Sequence, residues 1–175
     1  MIYELKVSLK EIRPQIWRLI QVPSDTNLRR MHKILQKAMG WENYHLYVFI
    51  VDGNKYSEPN SDWHVMDSRM LTLNKIFAGG KKSFQYDYDM GDGWEHEITL
   101  KKQIESDITR PSCIGGARAC PPEDCGGVPG YYQFLEAIAD PKNPEHDTML
   151  EWVGGSYDPK AFDMAKVDRA LKRIR

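Results

Sequence analysis

Apolar and polar residues alternate from the start of the chain. Tyr3, Leu5, Val7 and Leu9 are set against Glu4, Lys6 and Ser8, the period of a half-buried strand over residues 2–9. Pro14 interrupts, and Gln15 to Val22 predicts a second strand that Pro23 stops, so the two form a hairpin. Asp25, Thr26 or Asn27 then caps a helix whose apolar positions Leu28, Met31, Leu35 and Ala38 lie three and four apart, with Gly40 as its terminator. Tyr44 to Val51 is apolar on both alternations and reads as a central strand covered on two sides. Asp52-Gly53 turns it into a short partner near Lys55 to Ser57. Leu71 to Phe77 predicts a short helical turn closed by Gly79-Gly80. Phe84, Tyr86 and Tyr88, then Trp94, His96, Ile98 and Leu100, mark two strands joined across Met90-Gly91-Asp92-Gly93.

The pattern changes after Ser106. Residues 111–130 hold 5 of the 13 glycines, 4 of the 10 prolines and all 3 cysteines, and predict no regular structure. Helical periodicity returns with stripes at Tyr131, Phe134, Leu135 and Ile138, at Met149, Leu150, Trp152 and Val153, and at Val167, Ala170, Leu171 and Ile174. Gly154-Gly155 closes the middle helix, and Asp158-Pro159 or Asp163 opens the last. The expected class is α+β. A mixed β-sheet with a β-grasp-like core (hairpin, helix, strands) occupies residues 2–103, a Gly/Pro/Cys loop residues 104–130, and packed helices residues 131–175, all in one domain, 1–175.

Composition narrows the function classes. Lys+Arg number 24 and Asp+Glu 25, a net charge of -1, so no whole-molecule field attracts a polyanion. Nucleic-acid binding would need a local stripe, for which Arg29, Arg30, Lys33 and Lys37 on the first helix and Lys166, Arg169, Lys172, Arg173 and Arg175 on the last are candidates. A solvated helix face explains the same residues. The longest strictly apolar run, Leu46 to Val51, falls far short of the roughly 20 residues of a membrane span, so no membrane partner is expected. Charges at Glu4 and Lys6 interrupt any apolar leader, which predicts a reducing cytoplasm without disulfides.

Two groups of residues carry candidate chemistry. Cys113, Cys120 and Cys125 could bind zinc in a closed site, with His96 as fourth ligand or His146 in its place. The spacing lacks a Cys-x-x-Cys knuckle, and three buried thiols filling space under the loop are the plainer reading; Cys120 beside Arg118 could also be a reactive thiol. The second group is Asp87, Asp89, Asp92, Glu95, His96 and Glu97, which could hold a divalent ion or serve as acid and base. Alternation puts His96 on the apolar face with Trp94 and Ile98, the place of a hydrogen-bonded core histidine, and makes Asp92-Gly93 first of all a turn.

Ile12-Arg13-Pro14-Gln15-Ile16-Trp17-Arg18 with Val22-Pro23, then His32, Ala38-Met39-Gly40-Trp41 and His45-Leu46, resembles the opening of the plasmid pRiA4b ORF-3-like family. Tyr86-Asp87-Tyr88-Asp89-Met90-Gly91-Asp92 with Trp94 and His96, and the segment from Arg118 to Gly127 with Gly130-Tyr131, are similar to its later motifs. Asp140-Pro141, Pro144-Glu145-His146, Glu151-Trp152, Tyr157-Asp158-Pro159 and Phe162-Asp163 complete the pattern. The resemblance implies membership of a largely uncharacterised bacterial and archaeal group, some of whose members are labelled as insertion-element passengers and named like resolvases. It therefore implies a plasmid or mobile-element association and no mechanism. No recombinase signature is present.

The expected function is a binding or interaction module with a protein or nucleic-acid partner, its ligand surface made by Asp92, Trp94, His96 and Arg118. One alternative is a metal-dependent hydrolase or nuclease with Asp92, Glu123 or Asp124 as base. The other is a nucleic-acid binder acting through the two basic helices.

Overall fold

The computed structural model describes residues 1–60 and 63–174. In chain order its elements are β1 (Ile2–Leu9), β2 (Trp17–Pro23), α1 (Leu28–Met39), β3 (Tyr47–Val51), β4 (Asn54–Ser57), β5 (Met66–Asp67), α2 (Leu73–Ala78), β6 (Ser83–Tyr88), β7 (Trp94–Ile104), β8 (Ser112–Ala117), α3 (Gly127–Ala139), α4 (His146–Trp152) and α5 (Met164–Leu171). The strands form one sheet in the order β5-β4-β3-β6-β7-β1-β2-β8. Every pairing is antiparallel except β4 with β5.

The mixed α+β class is as expected. The hairpin β1-β2 and the pair β3-β4 flank α1 in the chain, and β6 and β7 lie between them in the sheet. Residues 111–130 are a correction: they contain the edge strand β8 and the first turn of α3. Glycine serves a packing purpose there. A Cβ on Gly116 would sit 2.5 Å from the Phe162 ring, whose face carries the Arg18 guanidinium at 4.3 Å. Among the basic residues, Arg175 lies outside the described residues.

Alternation makes the sheet one-sided. Phe84, Tyr86, Tyr88, Trp94, His96 and Ile98 are buried, whereas Glu95 and Glu97 face solvent and Gln85 and Asp87 are half-exposed. Helix α1 covers the apolar face with Leu28, Met31, Ile34, Leu35 and Ala38, all fully buried, so truncating any of the large ones to Ala costs about 2–5 kcal/mol. Its ends are closed as the residue types require. Asn27 Oδ1 accepts from Arg30 N at 2.9 Å, and Gly40 takes the left-handed conformation at φ 113°.

Two histidines lie in this core. His32 Nδ1 meets Tyr86 Oη at 2.8 Å, and its Nε2 meets Asn43 Oδ1 at 2.7 Å. Gln36 closes the network by donating from Nε2 to Tyr86 Oη and accepting from Asn43 N. His96 Nδ1 donates to Tyr86 O at 3.2 Å, while its Nε2 is buried without a hydrogen-bond partner among the described residues. Burial lowers both imidazoles to about 4. They are neutral in the fold and protonate near pH 6.5 when unfolded, so between pH 6.5 and about 4 the unfolded chain binds more protons and stability falls as pH drops. Urea unfolding at pH 7 and pH 5 should show a loss on the order of 2 kcal/mol per histidine. Equal stability at the two pH values would contradict neutral burial.

Candidate functional site

The site lies at the end of the sheet where β6 turns into β7. The β6 row of inward side chains ends at Tyr88, whose hydroxyl reaches out of the core. It accepts from Tyr44 N at 3.0 Å and from His45 N at 3.4 Å, and it donates to Glu123 Oε1 at 3.1 Å. Burial, reinforced by the Glu123 carboxylate beside it, raises the Tyr88 phenol and keeps it a donor. Glu123 Oε1 also accepts from Glu42 N at 2.9 Å, and Trp41 Nε1 donates to Pro121 O at 3.1 Å. The segment after α1 is thereby tied to the cysteine-bearing loop.

The same loop is locked to the β6–β7 turn. Gly126 N donates to Asp92 Oδ2 at 3.2 Å. Gly127 has φ 67°, and a Cβ there would stand 2.3 Å from Asp92 O; one on Gly130 would stand 1.9 Å from Cys125 O. Tyr157 Oη donates to Cys120 O at 3.0 Å and holds the other end of the loop.

These ties bring His45, Asp89 and Asp124 together. His45 Nε2 lies 2.9 Å from Asp124 Oδ1, 3.6 Å from Asp89 Oδ2 and 4.0 Å from Glu123 Oε2. One ligand atom from each of His45, Asp89 and Asp124 falls within 4.8 Å of the others. Asp89 is on the outward alternation of β6, but its φ of 58° turns it inward, where its Oδ1 accepts from Gly91 N and Asp92 N. Its side chain is 7% exposed and Asp124's is 66% exposed, so the cluster opens to solvent on the Asp124 side.

A groove of about 580 Å³ begins at Asp124 and runs between α3 and α4. Phe134, Ala137 and Met149 line it, as does Trp152, which is 47% exposed and packs edge-on against Phe134 at 5.8 Å. Glu136 and Glu145 add carboxylates, and no Lys or Arg lines it.

The residues singled out in the sequence are distributed differently from expectation. Among the described residues, no three of Cys113, Cys120, Cys125 and His96 bring their ligand atoms within 4.8 Å of one another. Cys113 Sγ lies on β8 and donates to Gly115 O, His96 is fully buried under α1, and His146 Nδ1 lies 2.9 Å from Ala137 O. Burial, reinforced by Asp92, pushes the Cys125 thiol up to about 12, and burial raises Cys113 and Cys120 as well. Trp94 is fully buried too, so a ligand surface containing Trp94 and His96 is not formed. Asp92 and Arg118 remain partly exposed, Asp92 holding the loop. Glu123 and Asp124 stand at the site, Glu123 as a brace and Asp124 as an open donor. The basic helices α1 and α5 pack together, and Lys33, Lys37 and Arg173 border one recess.

Sequence reading placed Asp89 in the hairpin group but paired it with His96, and it overlooked His45 as a donor. A polar Glu-Asn-Tyr-His stretch between a helix-ending glycine and an apolar strand was the available signal.

A family model described as plasmid pRiA4b ORF-3-like protein matches residues 1–166. The chain is 39% identical to the uncharacterized protein y4hQ of Sinorhizobium fredii (strain NBRC 101917 / NGR234), over 97% of this chain and 90% of that one. It is also similar to the crystal structure of MM3350 from Methanosarcina mazei Go1, a protein of unknown function. That match has a TM-score of 0.85 and 35% identity, and it covers 94% of this chain and 96% of the other.

The clamp between loop and turn is testable. Gly127→Ala combines a positive φ with a backbone clash at Asp92, and should lower stability by about 2 kcal/mol or more, seen as a thermal midpoint several degrees lower. An unchanged midpoint would show that the loop is not held there.

Proposed function

The chain belongs to the plasmid pRiA4b ORF-3-like family, and we propose that it is a binding module whose groove beside Asp124 takes a cationic group on an apolar stem, as a lysine or arginine of a partner protein presents. The observation that carries this reading is the composition of the groove: three carboxylates, an exposed indole and an apolar floor, without a cation among the lining residues. In a protein of net charge -1, acidic side chains gathered without basic ones create a local negative potential that attracts positive ligands. Glu136 and Glu145 form no ion pair among the described residues, so they keep their charge for a ligand.

The energetic contributions are modest and separable. Exposed ion pairs contribute about 0.2–1 kcal/mol each, and a cation over the Trp152 face adds about 0.5–2 kcal/mol. Burial of an aliphatic stem against Phe134 and Met149 contributes about 0.8 kcal/mol per methylene. The sum suits a reversible, salt-sensitive interaction.

Trp152 reports on the reading directly. Titrating a short Lys/Arg peptide should change the indole fluorescence saturably, and the double variant Glu136→Gln/Glu145→Gln should weaken binding by about tenfold, the effect of about 1.4 kcal/mol. A Glu-containing peptide should give no response. Equal binding by wild type and the double variant, or no saturable signal with the basic peptide, would refute a cation-recognising groove.

A further inference from the structure

We propose that His45 Nε2 and one carboxylate oxygen from each of Asp89 and Asp124 bind a divalent transition-metal ion. The donor spacings fit a shared ion. Two ligands each about 2.1 Å from a metal are separated by about 3.0 Å at a right angle and about 3.6 Å at 120°. His45 Nε2 lies 2.9 Å from Asp124 Oδ1 and 3.6 Å from Asp89 Oδ2.

The hydrogen bonding points to the same place. His45 Nε2 is buried and makes no hydrogen bond among the described residues, although Asp124 Oδ1 is close enough to accept one. The contact is near but off-line, the relation of two donors facing a common point rather than each other. Asp89 supplies the independent second observation. Its side chain is only 7% exposed, its Oδ2 accepts no hydrogen bond, and no Lys or Arg pairs with it among the described residues. One Asp89 oxygen is thus committed to backbone donors and the other faces the imidazole, where a cation at the shared point would engage it.

The surroundings fix the donors in advance. Tyr88 and Glu123 hold the backbone on either side of the cluster, and Gly91 N and Asp92 N occupy the other oxygen of Asp89. Such outer contacts orient ligands and keep a site ready for its ion. The donor set also selects the ion. One imidazole and two carboxylates suit zinc and its first-row neighbours, whereas magnesium and calcium take oxygen ligands. Three protein donors, with Asp124 exposed, leave coordination positions open toward the groove. The site shares Asp124 with the groove but does not depend on a ligand occupying it.

Full-length protein stripped with chelator should bind one Zn²⁺ or Co²⁺ per chain by calorimetry, with a higher thermal midpoint in the metal's presence. His45→Ala and Asp124→Asn should each weaken binding by more than about tenfold. Asp124 is exposed, so Asp124→Asn keeps the fold, and circular dichroism checks this. Cys120→Ser with Cys125→Ser should leave binding intact, and the Co²⁺ complex should lack a sulfur-to-metal charge-transfer band. Glu136→Gln/Glu145→Gln should leave metal affinity unchanged while weakening peptide binding about tenfold, which separates this site from the groove reading. Absence of stoichiometric binding, binding insensitive to Asp124→Asn, or loss of binding in the cysteine variant would each overturn the proposal.

Discussion

The constraint on which the rest depends is the single buried row of β6. Phe84, Tyr86 and Tyr88 project from alternate residues into the space under α1, and each step along the row changes the environment. Phe84 packs against the rings of Phe49 and Phe77. The Tyr86 hydroxyl is enclosed and satisfied by His32 and Gln36 of α1, and Tyr88 carries its hydroxyl past the edge of the core to the backbone of 44–45 and to Glu123. A one-residue slip in register would send this row to solvent and dissolve the network that positions the site. Core and site are therefore parts of one arrangement.

This explains why a loop rich in glycine and proline holds a defined shape. Its order comes from contacts with segments distant in sequence: Trp41 and Glu42 after α1, Asp92 in the β6–β7 turn, and Tyr157 after α4. The cysteines contribute as neutral side chains within that frame, Cys113 buried and Cys120 and Cys125 partly so. Acidic chemistry concentrates where the loop meets the turn, and basic chemistry sits on α1 and α5. The near-neutral total thus conceals a polarised surface.

The sequence made much of the sheet legible because one face is dry and the other wet. The alternation at Tyr3 to Leu9, at Phe84 to Tyr88 and at Trp94 to Ile98 follows from that asymmetry, and the caps Asn27 and Gly40 bound α1 where their chemistry requires. Strand β8 was not legible, since Gly115 and Gly116 look like loop residues until the rings of Trp17 and Phe162 are seen lying against them. The start of α3 was hidden for a similar reason: Gly130 is required by the approach of Cys125 O, not by chain flexibility. At the site, Asp124 was visible as an acidic residue in an unusual loop. His45 was not, because the short stretch after α1 has no periodicity and its position is set by the Tyr88 hydroxyl, a contact between distant segments.

Asp89, with its backbone in the left-handed region, is a feature whose effect reaches beyond the local turn. Because that conformation points the carboxylate inward against the alternation of its strand, His45, Asp89 and Asp124 meet only after β6, the post-α1 segment and the loop have all docked. Their convergence thus acts as a checkpoint on assembly: a partly folded chain presents the same three side chains to solvent separately, and only the finished molecule displays them as one feature that another molecule could recognise.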